Sequence, residues 1–76
     1  MRVIVIEDDA DAAAFVKGVL SEAGHLVDVC GDGESGLNKA RTGDYDALVV
    51  DRMLPGIDGL KLLKSYRDAG GRAPAL

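Results

Sequence analysis

Four consecutive β-branched residues, Val3-Ile4-Val5-Ile6, are followed at once by three acids, Glu7-Asp8-Asp9. A strand with one wet face alternates apolar and polar residues. An unbroken apolar run needs cover on both faces, which an inner strand of a parallel sheet obtains from helices packed above and below it. Arg2 to Ile6 therefore reads as a central strand, and the chain as a layered α/β structure. The acids mark where that strand stops.

The remaining segments continue the alternation of strand and helix. From about Ala10 to Ala23 the pattern is helical, with Phe15, Val16, Val19, Leu20 and Ala23 forming one apolar stripe and Gly24 supplying the stop. Leu26 to Cys30 alternates around Asp28, as suits a strand at a sheet edge. Gly31-Asp32-Gly33 reads as a turn, and Leu37 and Ala40 mark a short second helix ending before Thr42-Gly43-Asp44. Tyr45 to Val50 returns to an apolar run closed by Asp51. Pro55-Gly56 is a loop, and Asp58 is the N-cap of a third helix through about Ala69, with Leu60, Leu63 and Tyr66 on one face and Gly70-Gly71 at its end. Arg72 to Leu76 reads as the approach to a fourth strand, with Pro74 where a missing N–H is tolerated. About 15 to 20 residues separate successive strands, which is enough for right-handed parallel crossovers and an open sheet.

Composition narrows the function classes. The 76 residues leave no room for two domains, and 47% hydrophobic residues are too many for a disordered chain. No apolar run approaches the roughly 20 residues of a membrane span. The 9 basic residues are scattered among 13 acidic ones, whereas a nucleic-acid surface gathers its cations. Cys30 is the single cysteine, so no internal disulfide can form. A lone thiol and an apolar start too short for an export signal lead to the expectation of a reducing, cytoplasmic setting.

In open parallel sheets, ligands sit beyond the carboxyl ends of the strands. Two strands end in acids there, at Glu7-Asp8-Asp9 and at Asp51. If the first and third strands are neighbours, Glu7, Asp8 and Asp51 converge, and three close carboxylates repel one another unless a cation offsets them. Mg2+ is the simplest such cation, since it takes one or two carboxylates, a carbonyl and waters while leaving room for a phosphate oxygen. The sharp turn after Asp51 can present the Met53 carbonyl to the same place. Asp51 is then a partly neutralised carboxylate with an oxygen free to attack phosphorus.

Taken in order, Val5-Ile6-Glu7-Asp8-Asp9, Tyr45-Asp46-Ala47-Leu48-Val49-Val50-Asp51 and Met53-Leu54-Pro55-Gly56-Ile57-Asp58-Gly59 resemble the receiver domain of two-component response regulators, with Gly24-His25 and Asp32-Gly33 in support. The resemblance implies a partial flavodoxin-like, doubly wound parallel sheet, with strands 2-1-3 of a 2-1-3-4-5 order and truncation at the start of strand 4. Residues 1–76 are on this reading an incomplete receiver domain. Asp51 matches the phosphoacceptor, which takes a phosphoryl group from a phosphohistidine on a sensor histidine kinase. Asp8 matches the direct Mg2+ ligand, Glu7 the acid that holds the ion through water, and Met53 the residue giving its backbone carbonyl. Asp9 falls at the start of the first helix, where negative charge suits the dipole. Such a chain at most catalyses its own phosphorylation and dephosphorylation, by positioning and charge neutralisation. The Met-Leu-Pro-Gly segment looks most like receivers attached to winged-helix DNA-binding domains, so the implied output is transcriptional, through an effector domain outside these residues.

The family's Ser or Thr after the fourth strand and Lys after the fifth have no counterpart here. An apolar third strand lacking its neighbour implies exposed edge and apolar surface, and hence either a longer chain or self-association, for example by domain swapping. A second reading is a non-phosphorylated or truncated interaction module, against which the intact Glu7, Asp8 and Asp51 argue. A third is a nucleotide-binding fragment, since Gly31-Asp32-Gly33-Glu34-Ser35-Gly36 satisfies G-x-G-x-x-G. Asp32 and Glu34 would lie where a pyrophosphate sits, so a turn and helix start is preferred. His25 reads as a surface or capping residue, Cys30 as a small apolar strand residue, and Lys61, Lys64 and Arg67 as a solvated helix face able to pair with Asp58 or Asp68.

Overall fold

The apolar run at the start forms the middle strand of a parallel sheet. A computed structural model describes residues 1–51, 54 and 58–75. Its elements are β1 (Arg2–Ile6), α1 (Ala10–Glu22), β2 (Leu26–Cys30), α2 (Gly33–Thr42), β3 (Ala47–Val50) and α3 (Gly59–Asp68). The three strands run parallel in the order β2-β1-β3, as the resemblance implied. Leu48 also forms an isolated parallel bridge with Ala75, and its N–H donates to the Pro74 carbonyl at 2.9 Å, so the approach to a fourth strand lies beside β3.

Both faces of β1 are covered, which is what its composition demanded. Val3 and Val5, with Ala47, meet Val16 and Leu20 of α1. Ile4 and Ile6, with Leu48, meet Ala40 of α2 and Leu62 and Tyr66 of α3 on the other side. At Gly36 of α2 the approach is close: a Cβ there would lie 2.7 Å from the Ile6 side chain. Glycine at this position lets the helix settle onto the strand.

Each helix start is capped by an aspartate, namely Asp9, Asp32 and Asp58. Two helices end in a glycine with positive φ. Gly24 (φ 91°) and Gly70 (φ 94°) donate back to the Ser21 and Arg67 carbonyls, and the next residues, His25 and Gly71, donate to Leu20 and Tyr66. This paired pattern satisfies carbonyls that the helix itself leaves open.

Four sequence expectations are corrected. The stripe on α1 is not buried as a unit: Ala13 is buried and Val16 and Leu20 half-buried, whereas Phe15 is 73% exposed and Val19 52%. Positions 13, 16 and 20 face the sheet, and 15 and 19 fall on the adjoining flank, beyond what the described strands cover. On α3, Leu62 and Tyr66 are buried and Leu60 is exposed, since the covered stripe is centred one step from the one expected. α2 is a full ten-residue helix that begins at Gly33 and includes Thr42. β3 begins at Ala47 rather than Tyr45, because Tyr45 turns its ring into the core.

Candidate functional site

The pairing register levels the carboxyl ends of the strands. Ile6 lies opposite both Cys30 and Val50. The ladder continues one step further, with Glu7 N–H donating to the Cys30 carbonyl and Asp51 N–H to the Ile6 carbonyl, each at 3.0 Å. Residues that follow β1 and β3 are therefore brought side by side. One carboxylate oxygen from each of Glu7, Asp8 and Asp51 lies within 4.8 Å of the others. Glu7 and Asp51 are half-buried and Asp8 is exposed.

Glu7 is anchored to the backbone that follows it. Its Oε1 accepts the Asp9 backbone N–H at 3.0 Å. That bond draws its carboxyl toward lower pKa, but desolvation, the negative charges of Asp51 and Asp8 and a side-chain hydrogen bond with Asp51 outweigh it and leave the group above its ordinary value. Crowding among these acids thus favours the protonated form of Glu7, and a cation would offset it.

The donor set suits a small hard divalent ion. Oxygens bound to Mg2+ at roughly 2.1 Å stand about 3 Å apart when adjacent and about 4 Å when opposite. The three carboxylates, each with an oxygen within 4.8 Å of the others, are close enough to share one such ion. Of the sequence-expected ligands, Glu7, Asp8 and Asp51 are together; Met53 lies outside the described residues. Leu54, close behind in sequence, is buried in the same core cluster as Ile6 and Leu48.

Other candidates fall away from this edge or serve local roles. The Asp32 side chain accepts the Ser35 N–H at 2.7 Å, occupying an amide that a phosphate would need, and Ile6 fills the space at Gly36. The glycine-rich segment acts as turn and helix cap. His25 Nδ1 lies 3.1 Å from the Met1 amino group, remote in chain position from the acids, and its N–H caps α1. Cys30 is buried, and that burial pushes its thiol up, away from reactive thiolate. Lys64 pairs with Asp68 at 3.0 Å on the outer face of α3. Sequence reasoning placed Asp9 only at the helix start; its link to Glu7 depends on loop geometry that no spacing reveals. No helix among the described residues is long and apolar enough to cross a membrane.

A family model described as the response regulator receiver domain matches residues 3–75. The transcriptional regulatory protein DltR of Streptococcus agalactiae is 40% identical over 76 residues, which is 100% of this chain and 34% of that protein. The chain thus spans about a third of the length of this curated relative. The response regulator TrrA of Thermotoga maritima, solved in complex with Mg2+-BeF, superposes with a TM-score of 0.85 at 33% identity, covering 88% of this chain and 58% of that one. A structure of the histidine kinase ThkA in complex with TrrA matches with a TM-score of 0.89 at 31% identity, covering 97% of this chain and 64% of the matched one.

Proposed function

Because the chain belongs to the response regulator receiver domain family of two-component systems, we propose that Asp51 accepts a phosphoryl group from a phosphohistidine of a sensor histidine kinase, with Mg2+ held by Asp8 and Asp51 directly and by Glu7 through water. The observation that carries this reading is the convergence of one oxygen from each of these three carboxylates within 4.8 Å at the carboxyl edge of a parallel sheet. Support for the ion comes from TrrA, whose structure was solved with Mg2+-BeF, and support for the kinase from the ThkA complex.

In the proposed transfer, an Asp51 carboxylate oxygen forms a bond to phosphorus as the bond from phosphorus to the donor's imidazole nitrogen breaks. The imidazole leaves and recovers a proton, and the phosphoryl group remains as an acyl phosphate. Bound Mg2+ supplies neutralisation of charge on the phosphoryl oxygens and the acids. The strand ends supply position: β3 presents Asp51, and the turn out of β1 presents Glu7 and Asp8. The Met53 carbonyl completes the proposed ligand set. DltR is a transcriptional regulatory protein, and the output proposed here is likewise transcriptional, exerted through chain beyond these residues.

The metal dependence is tested by incubating the full-length protein with a small phosphoramidate donor, with Mg2+ or with excess chelator. Stoichiometric labelling that chelator abolishes is expected; equal labelling in both arms would contradict the metal assignment.

A further inference from the structure

Asp9 faces two ways. Its backbone N–H points back to Glu7 Oε1 at 3.0 Å. Its side-chain Oδ1 points forward and accepts the N–H groups of Asp11 at 2.9 Å and Ala12 at 3.2 Å, while its carbonyl accepts the first helical bond from Ala13 at 2.9 Å. We infer that Asp9 is a positioning residue for the acidic site: by capping α1 it fixes the backbone conformation that aims its N–H at Glu7, and so keeps the Glu7 carboxylate beside Asp51. This inference rests on the metal reading above.

A glutamate on a turn has several open rotamers, and most of them take its carboxylate away from Asp51. The Asp9 N–H favours one in which the Glu7 carboxyl also shares a side-chain hydrogen bond with Asp51. That N–H is only as well aimed as the residue that bears it, and Asp9 is pinned to the first turn of a 13-residue helix packed on the sheet through Ala13, Val16 and Leu20. The cap therefore transmits the rigidity of α1 to Glu7. Groups that orient a metal ligand without touching the metal commonly change its affinity about tenfold or more.

The test titrates Mg2+ alone into the full chain by calorimetry, for the parent and for Asp9→Ala, Asp9→Asn and Asp32→Ala. Asp9→Asn keeps the capping acceptor and removes the charge; Asp32→Ala removes the matching cap from α2 and reports lost stability alone. Asp9→Ala is expected to weaken Mg2+ binding about tenfold, Asp9→Asn to stay within about twofold of the parent, and Asp32→Ala to leave affinity unchanged. If Asp9→Ala does not fold, Asp9→Gly costs the helix less and carries the same expectation. Parental affinity in Asp9→Ala overturns the inference, as does equal weakening in Asp9→Ala and Asp9→Asn, which would assign the effect to charge. A parent chain that binds no Mg2+ overturns the metal reading itself, and this inference with it.

Discussion

Tyr45 sits buried just ahead of β3, and its hydroxyl donates to the Asp28 carboxylate on β2 while the Arg2 guanidinium lies 4.8 Å from its ring centroid. Three segments of chain are joined by this one side chain. Losing its hydroxyl in Tyr45→Phe is expected to cost about 1 kcal/mol near neutral pH, as for a hydrogen bond to a partly exposed charged acceptor. Burial, with the Asp28 carboxylate, pushes the phenol up to about 12. A group whose folded pKa is raised contributes stability that is complete below its unfolded value, near 10, and is lost as pH rises through the folded one. The advantage of the parent over Tyr45→Phe, measured by denaturant unfolding, should therefore hold up to about pH 10 and shrink between about pH 10 and about pH 12. It should shrink in acid also, since the Tyr45 hydroxyl holds the Asp28 carboxyl below its ordinary value, and that contribution fades as pH falls through the folded pKa. A gap independent of pH would contradict this account. At this scale the sequence was partly legible. Acids after Ile6 and Val50 stand out because the chain changes abruptly from apolar to charged. The pairing of Tyr45 with Asp28 does not stand out, because it depends on strand register across 17 residues.

The elements were easier to find than the faces they bury. β1 and β2 were legible to the residue, since each is bounded by sharp changes in character. The stripes on α1 and α3 were misjudged because helical periodicity identifies apolar positions but not which neighbours cover them. Phe15, Val19 and Leu60 remain exposed for that reason. The seating of α2 on β1 was not legible either, for it rests on the absence of a side chain at Gly36. Gly36→Ala drives a methyl to within 2.7 Å of Ile6. The improved helix propensity of alanine offsets part of the strain, and a net loss of about 1–2 kcal/mol is expected. It should appear as a lower denaturant midpoint with an unchanged slope. A stabilised variant would show that α2 has room to move away from the sheet.

At the scale of the whole molecule, strand order converts sequence into site. Glu7 and Asp51 are 44 positions apart in the chain, yet they become neighbours because β3 lies beside β1 and their ends are level. On the far side of β3, among the described residues, the stretch around Pro74 and Ala75 bridges to Leu48, where the approach to a fourth strand begins. A receiver of the family extends past that point, and DltR is about three times as long as this chain. The acidic cluster lies within these residues, whereas the transcriptional output is proposed from the likeness to the longer DltR. The central claim is that this site makes Asp51 a phosphoacceptor. It is tested most directly by intact-mass and peptide-mapping mass spectrometry of the full-length protein after treatment with Mg2+ and a phosphodonor. One phosphoryl group, located on Asp51 and absent from Asp51→Asn, is the predicted result. Unchanged labelling in Asp51→Asn, or a phosphoryl group mapped to another residue of the parent protein, would contradict it.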